Sequence, residues 1–286
     1  STTNKAAEPQ TASAENTNQQ SEQTESEKAN QLFEDIFMEN VMRSPMYQSY
    51  LGIKDDQDKW DDISDEQAKE DLALTKKHLE QVKAIDESKL NEQTKISWML
   101  MKQKLENEIA DYKWRHHNYP VNQMFGLHSS VASLLINQHR ISSVDDAQDY
   151  ISRLNCLPEL FEQLAENLEL RAEKGIIAPK FVYPYVISDS KNIITGAPFD
   201  DGEASALWGD FTGKLDKLEI DKIRGNRSPP KCWVRVHFRW YRKMHHNWAC
   251  PQLDVAVIVR YYFQNILGNI FTEKLIPVAK QNKIFR

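Results

Sequence analysis

The chain has 286 residues, of which 40% are apolar and 10% aromatic, enough to bury a sizeable core in one large or two modest domains. No run approaches eighteen consecutive apolar residues, which excludes a membrane-spanning helix in the sequence. The net charge of −6 hides a division: residues 1–221 hold 23 Lys plus Arg against 40 Asp plus Glu, whereas residues 222–286 hold 13 against 2. Glycine and proline are scarce, at 9 and 11, while Glu, Lys, Leu, Ala and Gln abound, and this favours an all-α architecture. Cys156, Cys232 and Cys250 are too few and too scattered for a disulfide framework, although Cys232 and Cys250 can pair in an oxidising compartment.

Residues 1–28 contain no large apolar side chain, so they cannot repay the entropy of ordering and are expected to be a disordered polar tether. Leu32, Phe33, Ile36, Phe37 and Val41 then form an apolar stripe that predicts a helix over Ala29–Met42, ended by Ser44-Pro45. A loop carrying Tyr47, Tyr50 and Trp60 follows. Ser64-Asp65-Glu66-Gln67 has the form of a capping box and opens a helix striped by Leu72, Leu79, Val82 and Ile85. Asn91 opens another, with Trp98, Met101, Leu105, Ile109 and Tyr112 on one face. The short connection between these two makes them antiparallel neighbours.

Arg115-His116-His117 closes the second of these helices. Adjacent residues on a helix point about 100° apart and do not converge on one ion, so the expected role of the pair is a basic helix terminus, not a metal site. Gly126-Leu127-His128 leads into Val131, Leu134, Leu135 and Ile136, a short helix apolar enough to be central. His128 and His139 are expected to be satisfied structural histidines.

Ser143 before Val144-Asp145-Asp146 is an N-cap with acids in the first turn. Ala147, Tyr150, Ile151 and Leu154 carry one stripe, Cys156-Leu157-Pro158 ends that helix and opens the next, and Leu160, Phe161, Leu164 and Leu168 carry a second stripe. Gly175 is placed for a left-handed terminating residue. The spacing predicts a tight helical hairpin, followed by a helix from Pro179 with Phe181, Val182, Tyr185 and Val186. The segment after it holds Gly196-Ala197-Pro198 and Gly202 and reads as an irregular loop in which Asp200, Asp201 and Glu203 are solvated acids.

The segment "RISSVDDAQDYISRLNCLPELFEQLAENLELRAEKGIIAPKFVYPYVI" resembles the bacterial family called domain of unknown function 885. The resemblance extends back through Ser44–Gly52 and Gly126-Leu127-His128 and forward to about Asp221. It implies an exported or lipoprotein-type, zinc-peptidase-like protein of mostly helical build. A full-length member is expected to bind zinc and to act on a peptide or small-molecule substrate, and a lipid anchor before Ser1 is the one membrane attachment it implies. The zinc chemistry needs His-Glu-x-x-His, because histidines at i and i+4 share a helix face and the glutamate activates water. None of the eight histidines, at 78, 116, 117, 128, 139, 237, 245 and 246, begins that motif. No catalytic, cofactor-binding or metal-ligating residue is therefore assigned in this chain, and no cofactor is expected in it.

From Arg224 the sequence changes character and the resemblance stops. Cys232, His237, His245, His246 and Cys250 are the residue types of a zinc site, without a recognisable spacing. Arginines interleaved with Trp233, Phe238, Trp240 and Tyr241 suit nucleic acid, against which the acidic preceding region argues, and no nucleic-acid partner is expected. A reading frame shifted near residue 222 accounts best for the simultaneous change in charge, aromatic content and resemblance. The expected organisation is thus a tether over 1–28, a helical domain over 29–221, built as an array of antiparallel hairpins, and a basic aromatic tail over 222–286.

Overall fold

A computed structural model describes residues 23–197 and 201–218; the tail and most of the leader lie outside the described residues. Among the described residues all regular structure is helical apart from two isolated β-bridges. The α-helices are α1 (Glu25–Met42), α2 (Pro45–Leu51), α3 (Asp65–Lys83), α4 (Glu92–Asp111), α5 (Leu127–Asn137), α6 (Val144–Asn155), α7 (Leu157–Glu173), α8 (Val182–Ile193) and α9 (Ala206–Lys217).

The first helix begins at Glu25, four residues before the predicted start, and this corrects the boundary drawn for the disordered tether. Thr24 accepts the N–H of Glu27 while the Glu27 carboxylate accepts the Thr24 N–H, a complete capping box. Four residues without a large apolar side chain are thus helical because backbone groups at the terminus are satisfied locally, and Ser26 is buried, its hydroxyl accepting the N–H of Asn91 at 2.9 Å. The predicted loop after Ser44 is also partly helical. Ser44 caps α2, Pro45 occupies its first position, and Gly52, at φ 79°, ends it in the left-handed region. This is the ordinary proline-first, glycine-last punctuation of a helix only seven residues long.

The helices form two apolar clusters. The first is a three-helix bundle in which Ile36, Leu79, Val82, Trp98 and Leu105 are buried, with Leu32, Phe33, Met101 and Ile109 against them. Its directions follow from its hydrogen bonds. The Trp98 indole N–H donates to the carbonyl of Val82 at 2.8 Å, and Arg115, just beyond α4, reaches Asp65 at the start of α3, so α3 and α4 are antiparallel as predicted. Asn91 bonds to Ser26, and Glu39 to His78, which sets α1 parallel to α4 and antiparallel to α3.

The second, larger cluster is built from α5 to α9, with Trp60 and Val121 from the connecting segments. Val131, Leu134 and Leu135 are buried completely, so α5 is central, as its composition predicts. Ser143 caps α6 by accepting the N–H of Asp146. Alpha-helices α6 and α7 make a corner instead of the predicted tight hairpin. One residue, Cys156, separates them; it stays in the right-handed helical region (φ −88°, ψ −3°), and its N–H still bonds back to Ser152. A fold-back needs several linking residues, whereas one helical residue with Pro158 behind it produces only a bend. Gly175 closes α7 at φ 77°, with its own N–H on Ala172 and that of Ile176 on Arg171, the paired bonds of a Schellman motif. The helix expected from Pro179 begins at Val182; Val182, Tyr183 and Val186 are its buried face, whereas Tyr185, and Phe181 just before the helix, are exposed.

Leu164 lies fully inside the second cluster, and Glu166 two residues on is exposed. Leu164→Ala is expected to lower unfolding free energy by about 2–5 kcal/mol in urea titrations, and Glu166→Ala to leave it nearly unchanged.

Candidate functional site

Chemistry-bearing side chains collect where the two apolar clusters meet, and they form two groups. The first is centred on Arg153, which is 0% exposed. Its guanidinium donates to the carbonyls of Lys59 (2.9 Å) and Pro45 (3.1 Å), to the Ser49 hydroxyl (2.8 Å) and to His139 Nδ1 (3.3 Å). Trp60 lies under it, 5.2 Å from the ring centroid, and donates its indole N–H to the Arg153 carbonyl at 2.8 Å. Burial lowers the Arg153 pKa to about 10 against the pull of Asp61, Asp58 and Asp149, so it is charged at neutral pH. With Nδ1 accepting, His139 donates from Nε2 to the Asp146 carbonyl at 2.9 Å. Burial works against the charge on Asp146, but Lys54 at 2.7 Å and the Ser142 hydroxyl and N–H outweigh it and hold this carboxyl well below the usual range. Every member is committed to the fold, so this group is structural.

The second group surrounds His116, at the junction of the start of α3, the segment after α4 and the end of α7. Sequence reasoning makes His116 a charged helix terminus, and the structure corrects this. The helical turn ends at Trp114, and His116 lies beyond it, 4% exposed. Lys174 donates to its Nδ1 at 2.6 Å, so Nε2 carries the proton and donates to Asp65 at 3.1 Å. Burial, then the neighbouring Arg115, Lys174 and Arg171 cations, lower its pKa and keep the ring neutral. The Arg115 bond at 2.9 Å is the main cause that holds Asp65 well below ordinary carboxylates. His117 is exposed and stacks edge-on against Trp114.

Beside this group lies a narrow cleft that encloses about 20 Å³, lined by Asn118, Tyr119, Val121, Leu168, Arg171 and Tyr183 among others. That volume holds about one water molecule. Tyr183 is pushed up to about 12, chiefly by burial, and stays protonated.

His128 differs from the expectation of a satisfied histidine. It is 1% exposed, with Nε2 3.7 Å from Asp189, and its Nδ1 has no hydrogen-bond partner. Gly126 leaves room for that ring: a Cβ there would sit 2.9 Å from Nδ1 and 2.8 Å from the Pro120 carbonyl oxygen. Asp201 and Glu203 are exposed, as expected of solvated loop acids, and Asp200 lies outside the described residues. Among the described residues no three His, Cys, Asp or Glu side chains are placed to hold a metal ion, so their donor set does not fit a zinc centre. Cys232, His237, His245, His246 and Cys250 lie outside the described residues.

The described residues define an all-α protein. The chain belongs to the family described as "Bacterial protein of unknown function (DUF885)", whose profile matches residues 45–228. Searches of the curated proteins and of the solved structures each found no match.

The buried neutral histidines give the fold an acid limit. His116, His128 and His139 all have lowered folded pKa values, that of His139 to about 4, chiefly by burial. The unfolded chain takes up these protons first, below about 6.5. Their contribution is complete above that pH and is lost as pH falls towards 4. Urea midpoints are expected to drop steeply over this window, and less so in His139→Gln; a midpoint constant between pH 7 and pH 4.5 would contradict this.

Proposed function

We propose that this chain corresponds to the N-terminal helical portion of an exported, zinc-peptidase-like hydrolase and is itself catalytically inactive. The observation that carries the reading is the absence from all 286 residues of His-Glu-x-x-His, in a chain whose family match spans 45–228. The geometry at the cluster junction is in keeping with it: the Arg153 group is spent on backbone carbonyls, and the cleft beside His116 is too small for a substrate to be processed there. Zinc and a peptide or small-molecule substrate belong, on this reading, to a complete member of the family, and localisation is the cell envelope or periplasm, with a lipid anchor as the membrane attachment.

The switch in charge at residue 222 supports a shifted reading frame beyond it. The neighbouring frame of the encoding DNA is then expected to continue in acid-rich, helix-patterned sequence and to contain His-Glu-x-x-His further on. Stop codons throughout both other frames would overturn this account of the tail.

A second reading, a non-catalytic binding or scaffold module, is favoured by the exposed Phe181 just before α8 and Tyr185 within it and by Phe125 and Met124 in the loop before α5. Elemental analysis and a peptidase assay on the purified chain test both readings. Neither predicts a stoichiometric metal or hydrolysis; one bound zinc per chain, with hydrolysis lost to a chelator, would refute the inactive assignment.

A further inference from the structure

Two of the chain segments that line the narrow cleft are joined by one titratable contact. Residues 118–121 come from the segment after α4, and residues 176–178 from the connection between α7 and α8. His116 stands two residues before the first of these segments, and Lys174 two residues before the second. The Lys174 ammonium donates to His116 Nδ1 at 2.6 Å, so this bond ties the two segments together at their starts. The cleft between them then encloses about 20 Å³, room for about one water.

The contact exists only while the ring is neutral. An ammonium has no acceptor, so the bond needs the lone pair on Nδ1, and Nε2–H is already directed at Asp65 at 3.1 Å. A proton taken up by the ring goes to Nδ1 and turns the acceptor into a cationic donor facing another. The groups around the ring decide what yields. From α3 come Asp65 and Lys69, paired at 3.2 Å; from the segment after α4, Arg115; and from α7, Arg171 and Lys174. A protonated His116 is a fifth cation there, against Asp65 and the exposed Glu66. Asp65 can hold Nε2–H in either state. Arg171 donates to Asn118 Oδ1 and to the Asn167 and Arg115 carbonyls, neutral acceptors that do not titrate. Lys174 is exposed at the end of α7, so its side chain is the one that can leave at little cost.

We propose that His116 and Lys174 form an acid-released latch: at neutral pH they tie the segment after α4 to the end of α7, and protonation of the ring expels Lys174 and loosens residues 174–178, with Arg171 as the pivot. Burial and the neighbouring cations disfavour the charged ring in the fold. The latch is therefore fully closed above the ordinary histidine value of about 6.5 and is lost as pH falls below it. This opening is local, at one wall of the cleft, and does not depend on the hydrolase reading.

Amide hydrogen exchange of the full chain tests the latch, compared at pH 7.5 and pH 5 after correction for the intrinsic pH dependence of exchange. The reporters are Gly175 and Ile176, whose N–H groups bond to the Ala172 and Arg171 carbonyls. Their protection is expected to fall by about tenfold in acid, while amides inside α3 and α4 keep theirs. Lys174→Met removes the contact from an exposed position, so it folds and is expected to show the acid rate already at pH 7.5. The response is expected to vanish in His116→Gln and to persist in His139→Gln, which separates the latch from the general acid limit of the fold. Equal protection of Gly175 and Ile176 at both pH values, wild-type protection in Lys174→Met at pH 7.5, or an acid response that survives in His116→Gln would overturn the proposal.

Discussion

Arg153 is the constraint on which the rest of the molecule depends. A guanidinium with no exposed surface needs acceptors from every side, and the acceptors it finds are the carbonyls of Pro45 and Lys59 and the hydroxyl of Ser49. These belong to the segment between α1 and α3 of the three-helix bundle. One side chain from α6 therefore fixes the bend after α1, the short helix α2 and the approach to α3. Trp60 reinforces it by lying under the cation and bonding back to the Arg153 carbonyl. Removing a single partner from such an arrangement leaves a buried charge or carbonyl unsatisfied, a cost larger than the net worth of any one of its bonds.

The same economy of partners recurs along the junction. Asp61 accepts from both the Ser44 hydroxyl and the Met46 N–H and so steadies the start of α2. Gln163 and Asn167 of α7 take up the N–H and carbonyl of Ile63 at 3.0 and 2.7 Å. Lys214 of α9 donates to the Leu135 and Ile136 carbonyls, both at 2.8 Å, and closes the exposed end of α5. Polar side chains thus do between helices what backbone hydrogen bonds do within them, and most are spent in doing so. Against that background the buried Nδ1 of His128 and the buried hydroxyls of Tyr150 and Ser205 stand out among the described residues as groups without a hydrogen-bond partner.

Much of the secondary structure was legible in the sequence because its determinants are local. Ser143, Ser64 and Asn91 cap the helices their positions announce, and Gly175 ends α7 as its place predicts. The capping box of Thr24 and Glu27 and the Ser44-Pro45 to Gly52 frame are equally local, although the first lies in a segment without large apolar residues and the second spans only seven helical residues. At Ser64 the box is half made, since the Ser64 N–H donates to Asp62 and the Gln67 amide turns to Asp71.

What the sequence determined by itself was the all-α class, the helix starts at Ser64, Asn91 and Ser143 and the stop at Gly175, the pairing of α3 with α4 and the central place of α5, because each rests on spacing within a few residues of the chain. Tertiary structure alone decided that His116 is buried and neutral instead of a charged terminus, that Phe181 and Tyr185 face outwards, and that Arg153 belongs inside. The physical reason is common to all three: burial and hydrogen-bond partners come from residues about 50 to 100 positions away, such as Asp65 for His116 and Lys59 for Arg153, and no local periodicity encodes them.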